Sequence, residues 1–268
     1  MCLNLFFLKC RLMKDKRELL IDSAVGGLAA AMSATNPVLG IVGSAFAPTV
    51  ASAAKSLLPK ALGEREQQRV EHVFIRSIEK IRLMLDNGEM PRDDESYHGV
   101  TSMGIPKAQE ILEGVLLKAR DEFQSKKLEF YSSFFANLCF DESISFEHAN
   151  FLLNALERLS YRQLCILSCL SDEKAIPTSR WDAVFKTGNN KELLRYFDLY
   201  SEYIDLYNAR MIVQTTKVPG FALGMSDTNI SSLGLSIVRL ADLASIPKQD
   251  VESIGHYLEA IEAIISRG

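Results

Sequence analysis

Between Glu64 and Gly88 the chain reads EREQQRVEHVFIRSIEKIRLMLDNG, with apolar positions at Val70, Phe74, Ile78, Ile81 and Leu85. Steps of three and four place these on one face of a helix, and charges fill the other. Asn87-Gly88 supplies a helix stop. The same period returns from Ile105 to Phe140, where Pro106 sits at a start position. Ile111, Leu112, Val115, Ala119 and Phe123 form one stripe there; Leu128, Tyr131, Phe134, Phe135 and Leu138 form another. Between the two periodic regions, EMPRDDESYHGVTSMG (89–104) has loop composition and predicts no fixed structure of its own. Ser145 is placed to cap a helix carrying Phe151, Leu152, Ala155 and Leu156, and Ser160 to cap YRQLCILSCL.

The pattern changes after Pro177. TSRWDAVF (178–185) predicts a short helix and NKELLRYFDLYSEYIDLYNAR (190–210) a longer one. Met211–Thr216 is β-branched and reads as a strand, KVPG as a turn, and FALGM…TNISS as a returning strand. LGLSIVRLADLASIP and KQDVESIGHYLEAIEAIISRG read as closing helices. Three helices, a two-stranded wing and a helix give the order of a winged-helix unit over about 160–245.

Ser23–Ala54 stands apart, because it holds no charged residue. Asn36-Pro37 divides it into two apolar helices, about 23–34 and 38–58, with Pro48 interrupting the second. A helix that spans a bilayer needs about 20 mainly apolar residues. Neither half clearly reaches that, and the apolarity comes from Ala and Gly more than from Leu, Ile or Phe. Gly26, Gly27, Ala30 and Ala34 on one side of Pro37, and Gly40, Gly43, Ala47 and Pro48 on the other, form surfaces small enough for close helix approach in lipid. Two readings fit: a hairpin that inserts into membrane when released, and a hairpin buried under the amphipathic helices that follow. Ahead of it, MCLNLFFLKCRL lacks the basic leader and small-residue cleavage site of a secretory signal, and folded structure is expected to begin near Met13.

The chain has 268 residues, 47% of them apolar and 24% charged, which suits a globular protein rather than a disordered one. A net charge of −4 offers no basic excess for nucleic acid. On the long helix Lys191, Arg195 and Arg210 are outweighed by Glu192, Asp198, Glu202 and Asp205, which argues against a DNA-reading helix. Tyr196, Tyr200, Tyr203 and Tyr207 on that helix are candidate contacts for a protein partner, in so far as they are exposed. Cys2, Cys10, Cys139, Cys165 and Cys169 contain no CxxC and read as small core residues of a reducing compartment, with a redox pair of Cys165 and Cys169 as the alternative. The histidines are scattered, and no metal, cofactor or catalytic motif is read; the glycines of 26–43 lack the Lys-Ser/Thr of a phosphate loop.

Three stretches carry a resemblance: KKLEFYSSFFANLCFDESIS (Lys126–Ser145), LERLSYRQLCIL (Leu156–Leu167) and YIDLYNARMIV…ISSLGLSIVRLADLASIP (Tyr203–Pro247). They make the chain resemble bacterial abortive-infection alpha (Abi-alpha) proteins, over about two-thirds of its length. The resemblance implies a role near phage defence and carries over no catalytic residue.

The expected architecture is mainly α: an N-terminal segment with the Gly/Ala-rich hairpin (1–62), a helical domain (63–159) and a winged-helix-like α+β domain with a C-terminal helix (160–268). The expected function is a non-enzymatic, defence-type effector or accessory protein whose hairpin acts on membrane. The alternatives are a protein-interaction or regulatory module using the winged-helix-like unit and, third, a DNA-binding regulator. A protein partner or self-association is expected, with no cofactor and no small-molecule substrate. The expected location is the cytoplasm, peripheral to or conditionally inserted in the inner membrane.

Overall fold

The computed structural model describes residues 63–171, 191–214 and 228–254; within 191–200 it describes the side chains of Asp198 and Leu199 only. The hairpin expected at 23–58 and the short helix expected at 178–185 lie outside the described residues. What is described is mainly helical, with one small two-stranded sheet. Among the described residues no helix is long and apolar enough to cross a membrane. The chain divides into two compact units between Asn154 and Ala155.

In the first unit, α1 (Glu64–Asp86) packs on α3 (Lys107–Asp121) and α4 (Leu128–Leu138). Its stripe is the predicted one: Val70, Phe74, Ile78, Ile81 and Leu85 are all buried, with Val73 beside them. Each such side chain contributes roughly 1.5–3 kcal/mol by leaving water. The Glu66 carboxylate accepts the Gly63 N–H at 2.8 Å, and Glu64 and Glu66 complement the helix dipole. At the other end Gly88 adopts φ 84°, and the N–H groups of Glu89 and Gly88 reach back to the carbonyls of Met84 and Leu85. That pairing closes the helix, and it needs the left-handed backbone that glycine tolerates best.

Two expectations are corrected in this unit. Residues 89–104 are ordered: α2 (Glu95–His98) forms there, and Val100 bridges Pro106. The second correction is at the end of α3. The helix stops at Asp121 and Glu122 turns extended (φ −73°, ψ 123°), so Phe123 leaves the stripe of Ile111, Leu112, Val115 and Ala119 and stands 84% exposed. The chain re-enters helix through a 3-10 turn at Ser125–Lys127 into α4, whose Leu128, Tyr131, Phe134, Phe135 and Leu138 are buried as predicted. α5 (Phe146–Arg158), whose last residues from Ala155 belong to the second unit, starts with the Ser145 hydroxyl accepting the His148 N–H at 3.2 Å. Leu152 and Leu156 are buried on it, but Phe151 is exposed.

In the second unit, α6 (Tyr161–Ser171) is capped reciprocally: Ser160 Oγ accepts the Gln163 N–H, and Gln163 Oε1 accepts the Ser160 N–H. It packs on α7 (Lys191–Asn208), on α8 (Ser232–Leu240) and on a 3-10 turn at Leu243–Ser245. β1 (Ile212–Gln214) and β2 (Thr228–Ile230) pair antiparallel, Ile212 opposite Ile230 and Gln214 opposite Thr228. Arg210 (φ 59°) ends α7 in the left-handed region, and the Met211 N–H reaches the Leu206 carbonyl at 2.9 Å. Ser231 caps α8 by accepting the Gly234 N–H at 3.0 Å. A side chain at Gly234 would run into the Met211 carbonyl, which is why this helix can lie so close to the strand.

Candidate functional site

The first unit buries an arginine. Arg92, 1% exposed, comes from the segment whose composition reads as loop. Its guanidinium meets Asp94 at 2.5 Å (Nε–Oδ1) and 2.7 Å (Nη2–Oδ2), donates to the Ile144 carbonyl at 2.9 Å, and lies 4.7 Å over the Tyr97 ring. The Arg92 N–H donates to the Cys139 carbonyl, and His98 Nε2 sits 2.8 Å from the Arg92 carbonyl. The Tyr97 hydroxyl is 3.2 Å from Cys139 Sγ, which donates to the Phe135 carbonyl. The hydrogen bond from Arg92 holds the Asp94 carboxyl below the usual carboxylate range. Burial pushes the Cys139 thiol up to about 12, against the smaller opposing effect of the Tyr97 hydrogen bond, and burial also raises the Tyr97 phenol. A nucleophilic thiol needs the reverse shift. The cluster clasps the 89–104 segment to the end of α4 and does not present a reactive group.

A second buried pair lies in the α3–α4 turn. Lys127 Nζ meets Glu122 Oε2 at 2.6 Å, with both side chains buried. The Tyr131 hydroxyl donates to the same oxygen at 3.2 Å, and Glu122 Oε1 accepts the Gln124 N–H at 2.8 Å. On the surface between α1 and α4, Glu129 meets His72 Nε2 at 2.9 Å and Arg76 Nε at 3.2 Å. Burial opposes ionisation of Glu129, but the His72 hydrogen bond and the Arg76 charge outweigh it, and its carboxyl lies below the usual range.

The second unit holds a half-open cavity of about 350 Å³, lined by Tyr161, Arg162, Cys165, Leu199, Asp250, Ser253 and Ile254. Two of its polar groups engage each other, the Tyr161 hydroxyl donating to Asp250 Oδ2 at 2.6 Å, and Arg162 Nε meets Glu202 Oε2, outside the lining, at 2.8 Å. Burial and the Asp250 hydrogen bond raise the Tyr161 phenol and keep it protonated.

The residues singled out from sequence distribute as follows. Gly26, Gly27, Ala30, Ala34, Pro37, Gly40, Gly43, Ala47 and Pro48 lie outside the described residues, as do the side chains of Tyr196 and Tyr200. Tyr203 is fully buried and its hydroxyl bonds Thr228 Oγ1, so it belongs to the core under the β1–β2 sheet and not to a contact surface. Tyr207 is 36% exposed on α7. Cys139, Cys165 and Cys169 are free thiols buried in the two cores. Sequence reasoning missed Arg92, Glu122 and Lys127, because a charge inside a polar run gives no periodic signal of burial. A single aromatic, Tyr97, closing the charged run RDDES was the one available hint. In comparisons by sequence and by structure, no family model, no curated protein and no solved structure matches the chain.

Proposed function

We propose that the chain is a non-enzymatic effector or accessory protein of the abortive-infection type, in which the uncharged Ser23–Ala54 segment acts on membrane and the helical units that follow carry and restrain it. One observation supports this reading over permanent burial of the segment. The amphipathic helix that follows it, α1, turns its apolar stripe to α3 and α4. That stripe is the nearest cover along the chain, and it is occupied by the first unit's own core. An uncharged segment rich in small residues then has lipid or a partner as its alternative to water.

The second unit is read as winged-helix-like, on the order α6, α7, β1, β2, α8. Its role is to dock a protein, with Tyr207 available for contact and the acidic balance of α7 opposing a DNA backbone. The test is fractionation of cells that express the chain. The proposal expects wild type to pellet with membrane and Gly43→Arg to stay in the supernatant, since an arginine at the centre of an apolar segment costs about 2.5–3.5 kcal/mol on insertion. Wild type that remains in the supernatant under every condition would favour the interaction-module reading.

A further inference from the structure

The turn between α3 and α4 inverts the usual placement of its residues. Glu122 and Lys127 are buried, and Phe123 between them is 84% exposed. A single exposed apolar side chain is ordinary, and the informative part is the buried Glu122–Lys127 pair on either side of it. The exposure is built in. Glu122 is gripped by Lys127, by the Tyr131 hydroxyl and by the Gln124 N–H, and the Lys127 N–H donates to the Gln124 carbonyl at 2.8 Å. The backbone on both sides of Phe123 is therefore fixed, and the ring is held out in a preorganised position.

The position of this turn within the unit matters as much as its exposure. Arg69, in the second turn of α1, donates from Nε to the Arg120 carbonyl at 2.9 Å. The start of α1, where the chain arrives from the uncharged segment, is thus beside the end of α3 that carries Phe123. Flanking the ring along the chain are Lys118, Arg120 and Lys126, with Asp121 bound to Arg120 at 2.8 Å. One projecting aromatic with basic neighbours differs from a protein interface core, which needs a contiguous apolar patch depleted of charge. It matches what a bilayer surface accepts: a ring in the acyl boundary and cations at the phosphates.

We propose that Phe123 is a membrane-interface anchor that, with Lys126 beside it, sets the end of the first unit where α1 begins against an anionic bilayer. This inference rests on the membrane reading of Ser23–Ala54, and it adds a contact made by the folded body itself.

The test uses the full chain and vesicles of phosphatidylcholine with and without phosphatidylserine. Phe123→Ser should weaken flotation with the anionic vesicles about tenfold or more, the loss of one inserted aromatic side chain, with the thermal midpoint unchanged because the ring is exposed. In a chain whose Trp181 is replaced by Phe, the single tryptophan introduced by Phe123→Trp should shift its emission to the blue on anionic vesicles. Flotation of Phe123→Ser equal to wild type, or an emission of the Phe123→Trp chain indifferent to vesicles, overturns the proposal. So does a change in oligomeric state of Phe123→Ser with flotation intact, which would make the ring a protein contact. Gly43→Arg separates the two claims. If it abolishes flotation while Phe123→Ser does not, the segment acts alone and the anchor is wrong. If Phe123→Ser weakens flotation while Gly43→Arg does not, the anchor stands and the reading of the segment fails. Wild type that floats with neither vesicle overturns both.

Discussion

Replacing Arg92 with alanine should destabilise the first unit by about 3 kcal/mol. The guanidinium is 1% exposed and serves three partners. Its loss strands the buried Ile144 carbonyl oxygen, at about 1–3 kcal/mol for an unsatisfied acceptor. It removes a cation from the Tyr97 face, at about 0.5–2 kcal/mol. It also leaves Asp94 without its bidentate partner. Asp94 retains 27% exposure and can recover water, which keeps the total near the lower end of the roughly 3–5 kcal/mol typical of breaking a buried pair. The assay is urea unfolding of the full chain, read by hydrogen exchange at the amides of residues 97–101 so that the first unit is followed by itself. Asp94→Asn should cost less, about 1–2 kcal/mol, because the Ile144 carbonyl and the Tyr97 ring still hold the cation. The same pair sets an acid dependence. The Asp94 carboxyl is depressed in the folded state, so its contribution is fully present above its unfolded value of about 4 and is lost as pH falls through the folded value. Arg92→Ala should flatten that part of the stability–pH curve. A loss below about 1 kcal/mol for Arg92→Ala, with the acid limb intact, would refute the clasp as an energetic element.

Gly234→Ala should destabilise the second unit by about 1–3 kcal/mol in thermal melts, since the added methyl meets the Met211 carbonyl, which is itself held by the Ser231 N–H; an unchanged melt would show that α8 can shift. Arg210→Gly should stabilise that unit by about 0.5–1 kcal/mol, because the left-handed cap at φ 59° suits glycine better than arginine; a loss of stability would mean the arginine side chain is needed there. Cys139 should resist iodoacetamide in the native protein at mildly alkaline pH and react after unfolding, as its buried thiol is pushed up to about 12; rapid native labelling located at Cys139 by mass spectrometry would contradict the buried geometry.

Periodic helices were legible because burial repeats every three or four residues. All five apolar positions read for α1, and all five for α4, lie in the core. The caps at Ser145 and Ser160 were legible for the same local reason. Phe123 broke the rule because the helix ended two residues earlier, where Glu122 turns extended and pairs with buried Lys127, a contact with no signature in hydropathy. Phe151 sits at a helical apolar spacing and is nonetheless exposed, so spacing alone did not settle its burial. Residues 89–104 carry turn formers throughout, and the contacts that order them include the Arg92 guanidinium on the Ile144 carbonyl and the Arg92 N–H on the Cys139 carbonyl. Contacts of that sequence separation are invisible to any local window. Tyr203 and Tyr207 share a helix and a residue type, yet Tyr203 is core, with its hydroxyl on Thr228 of β2, and Tyr207 is surface.

Dye release from sealed anionic vesicles measures directly whether Ser23–Ala54 acts on lipid. Purified wild-type chain should release an entrapped dye, and Gly43→Arg should release none while melting at the wild-type temperature. Vesicles that stay sealed with wild type, or leak equally with both proteins, would contradict the membrane reading of that segment.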